Sequence, residues 1–156
     1  MLLVSKEERQ RYAECFACWS ENAQGLKLDF RVRADKGVWA LFHPQAHHQG
    51  WPHALHGGLV ATLLDEAAAY LAVAHGSRTA TARLHLRFQQ PASLDATLRV
   101  EARLVRSTRR VLEVHGTVTT ADGGETIAEA DATLVVLTDA QKRAFGLTAD
   151  QTKEGN

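Results

Sequence analysis

Asp65 and Glu66 stand side by side in LVATLLDEAAAYLAVAH, a run from Leu59 to His75 that is otherwise nearly all Ala, Leu and Val. A carboxylate in such a run is expensive to bury, because its charged form sheds water and must find donors in return. Its chemical use would be to take a proton from water or to attack a carbonyl carbon itself. Immediately ahead lie His56, Gly57 and Gly58. With no Cβ at 57 or 58, the first backbone N–H groups of a helix starting here stay uncovered at the positive end of its dipole. A carbonyl oxygen gaining negative charge can sit there, as in an oxyanion hole. The plainer alternatives are a glycine pair for close packing and acids that face solvent or pair with Arg83 or Arg87.

Spacing sharpens this reading. Gly57 and Asp65 are eight residues apart, about 12 Å along a helix axis. One helix cannot bring both to one carbonyl. Two antiparallel copies related by a two-fold axis can set the helix start of one beside Asp65 of the other, so the expected unit is a homodimer or a dimer of dimers.

The elements that must hold these residues follow from pattern. Ser5-Lys6-Glu7-Glu8 is a capping box opening a helix to about Ser20, broken by Gly25. LKLDFRVRA (26 to 34) and VWALFHP (38 to 44) alternate around Asp35-Lys36-Gly37 and predict a hairpin. The stretch QAHHQGWPHAL has Gly50, Pro52 and no period, and reads as a loop. The long helix after Gly57-Gly58, apolar all round, is expected to be buried all round, by a sheet curling around it together with a partner helix. Four alternating segments follow, at 77 to 90, 94 to 107, 109 to 121 and 125 to 137, with short connections that predict a meander of hairpins rather than βαβ crossovers. A short helix is expected near Ala140 to Phe145, with fraying from Thr148. The predicted class is α+β, a curved antiparallel β-sheet wrapped around one long central helix. Domain limits are expected at 1 to 138, with a tail from 139 to 156.

Composition bounds the partners. The 156 residues fit one domain. With 18 basic and 18 acidic residues the formal net charge is zero, which removes the general attraction that nucleic acid or an anionic membrane would exert. MLLVSKEERQ has neither the apolar core of a signal peptide nor a membrane span, and a cytoplasmic location is expected. Cys15 and Cys18 form a lone C-x-x-C with no second pair to complete a zinc site, and are expected as ordinary, partly buried helix residues. His43, His47, His48, His53 and His56 crowd one loop without the rigid spacing that metal ligands need, so no metal is expected. G-x-S-x-G, P-loop and G-x-G-x-x-G motifs do not occur.

The runs HHQGWPHALHGGLVATLLDEA and TARLHLRFQQPASL, with CFACWSENAQGLKLDF ahead of them, resemble the PaaI-like and 4-hydroxybenzoyl-CoA thioesterase types of the hot-dog superfamily, from about Cys15 to Leu137. Trp19 stands where a glycine is commoner in that family. The resemblance implies an acyl-CoA thioesterase without metal or redox cofactor, coenzyme A entering only as part of the substrate. In it Asp65 activates water or attacks the thioester, the Gly57 N–H polarises the carbonyl, and His56 shapes the pocket. Gln49, with His48 or Gly50 as alternatives after a one-residue insertion, would hold the carbonyl or the water, and Thr81 would orient that water. Gly58 lines the same helix start. Arg106, Arg109 and Arg110 surround a hairpin turn, where they would clamp nucleotide phosphates or be simply solvated. Leu59 and Leu63 would line an acyl pocket. Alternative functions on the same fold are an acyl-CoA-binding or sensory protein without catalysis, and a dehydratase, which wants a histidine paired with the helix acid.

Overall fold

Alternation of apolar and polar side chains dictates strands, and a computed structural model describing residues 14–18 and 20–147 has six. They are β1 (Arg31–Val32), β2 (Val38–Phe42), β3 (Thr79–Phe88), β4 (Leu98–Ser107), β5 (Val111–Thr120) and β6 (Thr126–Val136). All neighbours pair antiparallel, in the order β1-β2-β4-β5-β6-β3. Helix α1 (Gly57–Ala74) packs on one face of this curved sheet, and α2 (Asp139–Ala144), capped by Thr138, follows the last strand.

The helix comes close because the sheet is thin where it crosses. Ala102, Gly116 and Ala130 are cross-strand neighbours on β4, β5 and β6. A Cβ on Gly116 would lie 3.0 Å from Leu64 Cδ2 and 3.3 Å from the Glu101 carbonyl oxygen, so only glycine lets Leu64 seat fully. Val60, Leu63, Leu64, Ala67, Ala68, Leu71 and Ala72 of α1 are buried there. By length and composition alone this helix could cross a membrane; its buried stripe is instead packed on the sheet. The opposite stripe of Thr62, Asp65, Ala69 and Val73 stays half-buried within one chain, on the side left for the expected partner helix.

The four-strand meander is also corrected. β4, β5 and β6 form one, but β3 pairs with β6 at the far edge of the sheet, not with β4. The physical reason is the capture of Pro91-Ala92-Ser93 by the loop before α1. Leu55 N–H donates to the Ala92 carbonyl at 2.9 Å and Leu94 N–H to the His53 carbonyl at 3.0 Å. These bonds satisfy the backbone of a crossing segment that would otherwise have to turn back as a hairpin.

At the front of the chain, residues 14–18 form turns, not the helix expected to Ser20; its first part, up to residue 13, lies outside the described residues. The first predicted strand shrinks to Arg31–Val32. Leu26, Leu28 and Phe30 do alternate into the core, but Leu26 and Leu28 donate to the Phe16 and Ala17 carbonyls instead of to β2.

Replacing Gly116 by Val should lower unfolding free energy by about 1–3 kcal/mol, the range for overpacking a filled core. Urea denaturation checks this, and a midpoint equal to that of the parent chain would mean that α1 does not rest on this row.

Candidate active site

Asp65 leaves the buried stripe of α1 on the side of β3, half-buried. There the Thr81 hydroxyl donates to Asp65 Oδ1 at 2.7 Å, the carboxylate's one hydrogen bond among the described residues. Strict alternation would send Thr81 outward with Arg83 and His85. A β-bulge between Thr81 and Arg83 changes that: Thr81 faces Leu134 of β6, which is fully buried, whereas the register of Leu84 with Ala132 would have put it opposite exposed Val135. The inserted residue re-aims the hydroxyl at the helix acid.

A second group of residues gathers at the start of α1. His56 is its N-cap, its Nδ1 accepting from the Gly58 N–H at 2.9 Å. The Gly58 donor is thereby used within the chain. The Gly57 N–H finds no acceptor among the described residues, and Phe88 at the end of β3 flanks it, 3.6 Å from where a Cβ would be. His56 is held from behind, its N–H donating to the His48 carbonyl and its Cα 3.0 Å from where a Cβ on Gly50 would lie.

Gln49 is exposed in the same loop, its Oε1 accepting from the His53 N–H at 3.1 Å. His48 is 6% exposed, packs on Phe42 and accepts at Nδ1 from the Gln45 N–H, so its buried Nε2 carries the hydrogen and has no partner. Burial, and then the charge of His47, hold its pKa below the usual histidine value. The loop histidines thus serve caps and packing: His43 meets Thr97, His48 meets Gln45 and His56 meets Gly58.

Arg106, Arg109 and Arg110 are all exposed, around the turn from β4 to β5. Val136 N–H donates to the Arg110 carbonyl, and Val136 pairs with Thr79. The turn therefore lies two strand spacings, about 10 Å, from the start of β3. Within one chain, then, the structure brings Asp65 to Thr81 and gathers His48, Gln49, His56 and Gly57, but leaves these two groups two helical turns apart.

Residues 53–127 match the sequence profile of the thioesterase superfamily. Over 118 residues the chain is 31% identical to acyl-coenzyme A thioesterase THEM4 of Rattus norvegicus, the match covering 75% of this chain and 51% of that protein. The chain thus spans about half the length of this curated relative. A thioesterase superfamily protein of known crystal structure superposes with a TM-score of 0.71 at 26% identity, over 75% of this chain and 60% of its own. A phenylacetic acid degradation-related protein of Ralstonia eutropha superposes with a TM-score of 0.64 at 28% identity, over 71% and 86%. The chain has the hot-dog fold, and over residues 53–127 it is similar to the thioesterase superfamily.

Three features of this hot-dog domain escaped the sequence reading. The first is a cleft beside Gly57, lined by Leu55, Val60, Phe88, Gln89 and Ile127 among others. Its lining comes from three separated segments, and only the exposure of Phe88, at 54%, hints at it. The second is that Leu63 belongs to the core at 0% exposure and is not among the residues that line this cleft. The third is Glu66, which turns away from Asp65 toward the cysteine turn.

His56→Ala should lower stability by about 1 kcal/mol through loss of the cap, and His56→Asn should restore most of it. Thermal unfolding of both variants decides this; equal losses would mean that the ring matters for packing and not for its acceptor nitrogen.

Proposed function

We propose that this hot-dog domain is an acyl-CoA thioesterase whose sites lie between two copies of the chain, Asp65 and Thr81 from one and the Gly57 N–H from the other. The match to an acyl-CoA thioesterase supports the substrate class, and the superfamily match supports the reaction. The observation that carries the assembly is the layout of β3. It is a ten-residue strand paired only with β6, and it places Thr81 beside Asp65 near one end and Phe88 beside Gly57 at the other. With the bulge counted, an antiparallel β3 pair about a two-fold axis at His85 sets Thr81 opposite the partner's Phe88. Asp65 of one chain then adjoins the partner's Gly57, and a hydrogen-bonding edge that would otherwise stay open is closed.

In this arrangement the Gly57 N–H, without an acceptor among the described residues, polarises the thioester carbonyl and receives its growing charge. The Thr81 hydroxyl spends its hydrogen on Asp65 and keeps lone pairs to accept from a water. That water is held beside the carboxylate oxygen that Thr81 leaves open, which favours Asp65 as general base over Asp65 as nucleophile. No step calls for a metal or redox cofactor. The cleft beside Gly57 offers Leu55, Val60, Phe88 and Ile127 to the acyl or pantetheine chain, and the Arg106, Arg109 and Arg110 turn supplies cations for the nucleotide phosphates. A dehydratase would need a histidine on the helix acid; among the described residues Asp65 bonds Thr81, and His56 caps the helix.

Asp65→Ala should reduce acyl-CoA hydrolysis about 10²–10⁴-fold. Gly57→Pro, which removes only the N–H at a helix position that tolerates proline, should cost about 10²–10³-fold. Mixed Asp65→Ala and Gly57→Pro chains, unfolded and refolded together, should regain activity, because half of the sites in each mixed dimer then hold both intact groups. Release of CoA from an acyl-CoA panel measures this, and a mixture as inactive as its parents would exclude the shared site. A single turnover in 18O-labelled water should place the label in the released acid and none on Asp65; label on Asp65 would make it the nucleophile.

A further inference from the structure

Cys15 and Cys18 lie in a built turn. The Cys18 N–H donates to Cys15 Sγ at 3.5 Å, and the Cys18 thiol approaches the same sulfur at 3.2 Å. The turn is pinned from the other side by Leu26 and Leu28, whose N–H groups donate to the Phe16 and Ala17 carbonyls at 2.8 and 2.9 Å. Asn22 Nδ2 donates to the carbonyls of Glu14 and Cys15. Gly25 admits the close approach, since a Cβ there would stand 2.7 Å from the Phe16 carbonyl oxygen. Onto this turn α1 projects Glu66, so that Cys15 Sγ, Cys18 Sγ and a Glu66 carboxylate oxygen all lie within 4.8 Å of one another.

Two thiol sulfurs and a carboxylate oxygen brought this close by separate segments form a donor set that one cation can hold together once their protons have left. None of the three takes part in the Asp65 chemistry proposed above.

We propose that Cys15, Cys18 and Glu66 bind a zinc ion, with the fourth position left to water, as a clamp between the front of the chain and α1. Two soft sulfurs and one carboxylate oxygen match the borderline softness of zinc rather than that of magnesium or calcium. In tetrahedral coordination, sulfurs about 2.3 Å from the metal stand about 3.8 Å apart and a carboxylate oxygen about 3.5 Å from each. The turn reaches this by opening the sulfur pair by about half an ångström. On binding, the thiol and carboxyl protons go to solvent and no redox change occurs. A disulfide between the same sulfurs, about 2.05 Å long, would remove both thiolate ligands. The clamp would fix α1 at the residue next to Asp65.

The test uses the full chain, purified with a chelator and a reductant so that both thiols titrate as free. Cobalt(II) should then give thiolate-to-cobalt charge-transfer and tetrahedral d–d absorption saturating at about one equivalent per chain. Zinc should displace it and raise Tm. The Cys15→Ser, Cys18→Ser double variant should lose the absorption, and Glu66→Gln should weaken binding about tenfold or more. If the double variant does not fold, the stoichiometry and the Glu66→Gln titration still decide. Parent chain with free thiols and no cobalt–thiolate bands overturns the proposal, as does a Cys15–Cys18 disulfide forming in preference to metal uptake. Neither result depends on thioester hydrolysis.

Discussion

The seating of α1 against Ala102, Gly116 and Ala130 is the constraint from which the remaining positions follow. A helix can approach a sheet this closely only where the facing side chains are small, and a glycine in the middle strand is the extreme case. Once Leu64 fills the space over Gly116, the rotation of the helix about its axis is fixed, with Leu63, Ala67 and Leu71 turned inward as well. Residues 65 and 66 must then emerge on its flanks, about 100° apart around the axis. One carboxylate reaches the edge strand β3 and the other the cysteine turn. Two adjacent acids of similar chemistry, both half-buried, thereby acquire different partners: Asp65 meets a hydroxyl and Glu66 two thiols.

Along the helix the same seating sets the other end of the site. The N-terminus of α1 lies beside Phe88 at the end of β3, where the loop carrying His48, Gln49 and His56 folds back on itself through backbone bonds. His56 satisfies the Gly58 donor, and among the described residues that of Gly57 has no acceptor, so the cap chooses which of the orphan N–H groups is left over. The loop also holds the Pro91–Ser93 crossing, and this is what sends β3 to the sheet edge. Stabilising the helix start and exposing β3 are therefore one structural decision.

The outer face of the sheet has a different character. Arg33, Arg99 and Glu101 form ion pairs beside Trp39, with Arg99 4.3 Å from the ring centroid. These groups are partly exposed, and pairs of this kind typically contribute under about 1 kcal/mol. Solubility and edge protection suit them better than fold specification, and they lie away from both carboxylates of α1.

The sequence by itself determined the elements: one long apolar helix opening on a glycine pair, alternating strands after it, and an acid that apolar surroundings made conspicuous. Those depend on composition and period, which are local. It also determined that Gly57 and Asp65 are too far apart to act on one atom within one helix, since that needs only the helical rise. It could not determine that β3 pairs with β6, because pairing depends on where the crossing loop finds its backbone partners. Nor could it turn Thr81 inward, because period-2 alternation places that residue outside and a bulge opposite Leu134 overrides it. The cysteines read as a pair lacking companions, since their third neighbour, Glu66, is brought by packing from 48 residues downstream of Cys18. Residue type and spacing carry chemistry and local geometry; which groups meet is decided by the rotation of a packed helix and the register of a sheet, and both are properties of the assembled core.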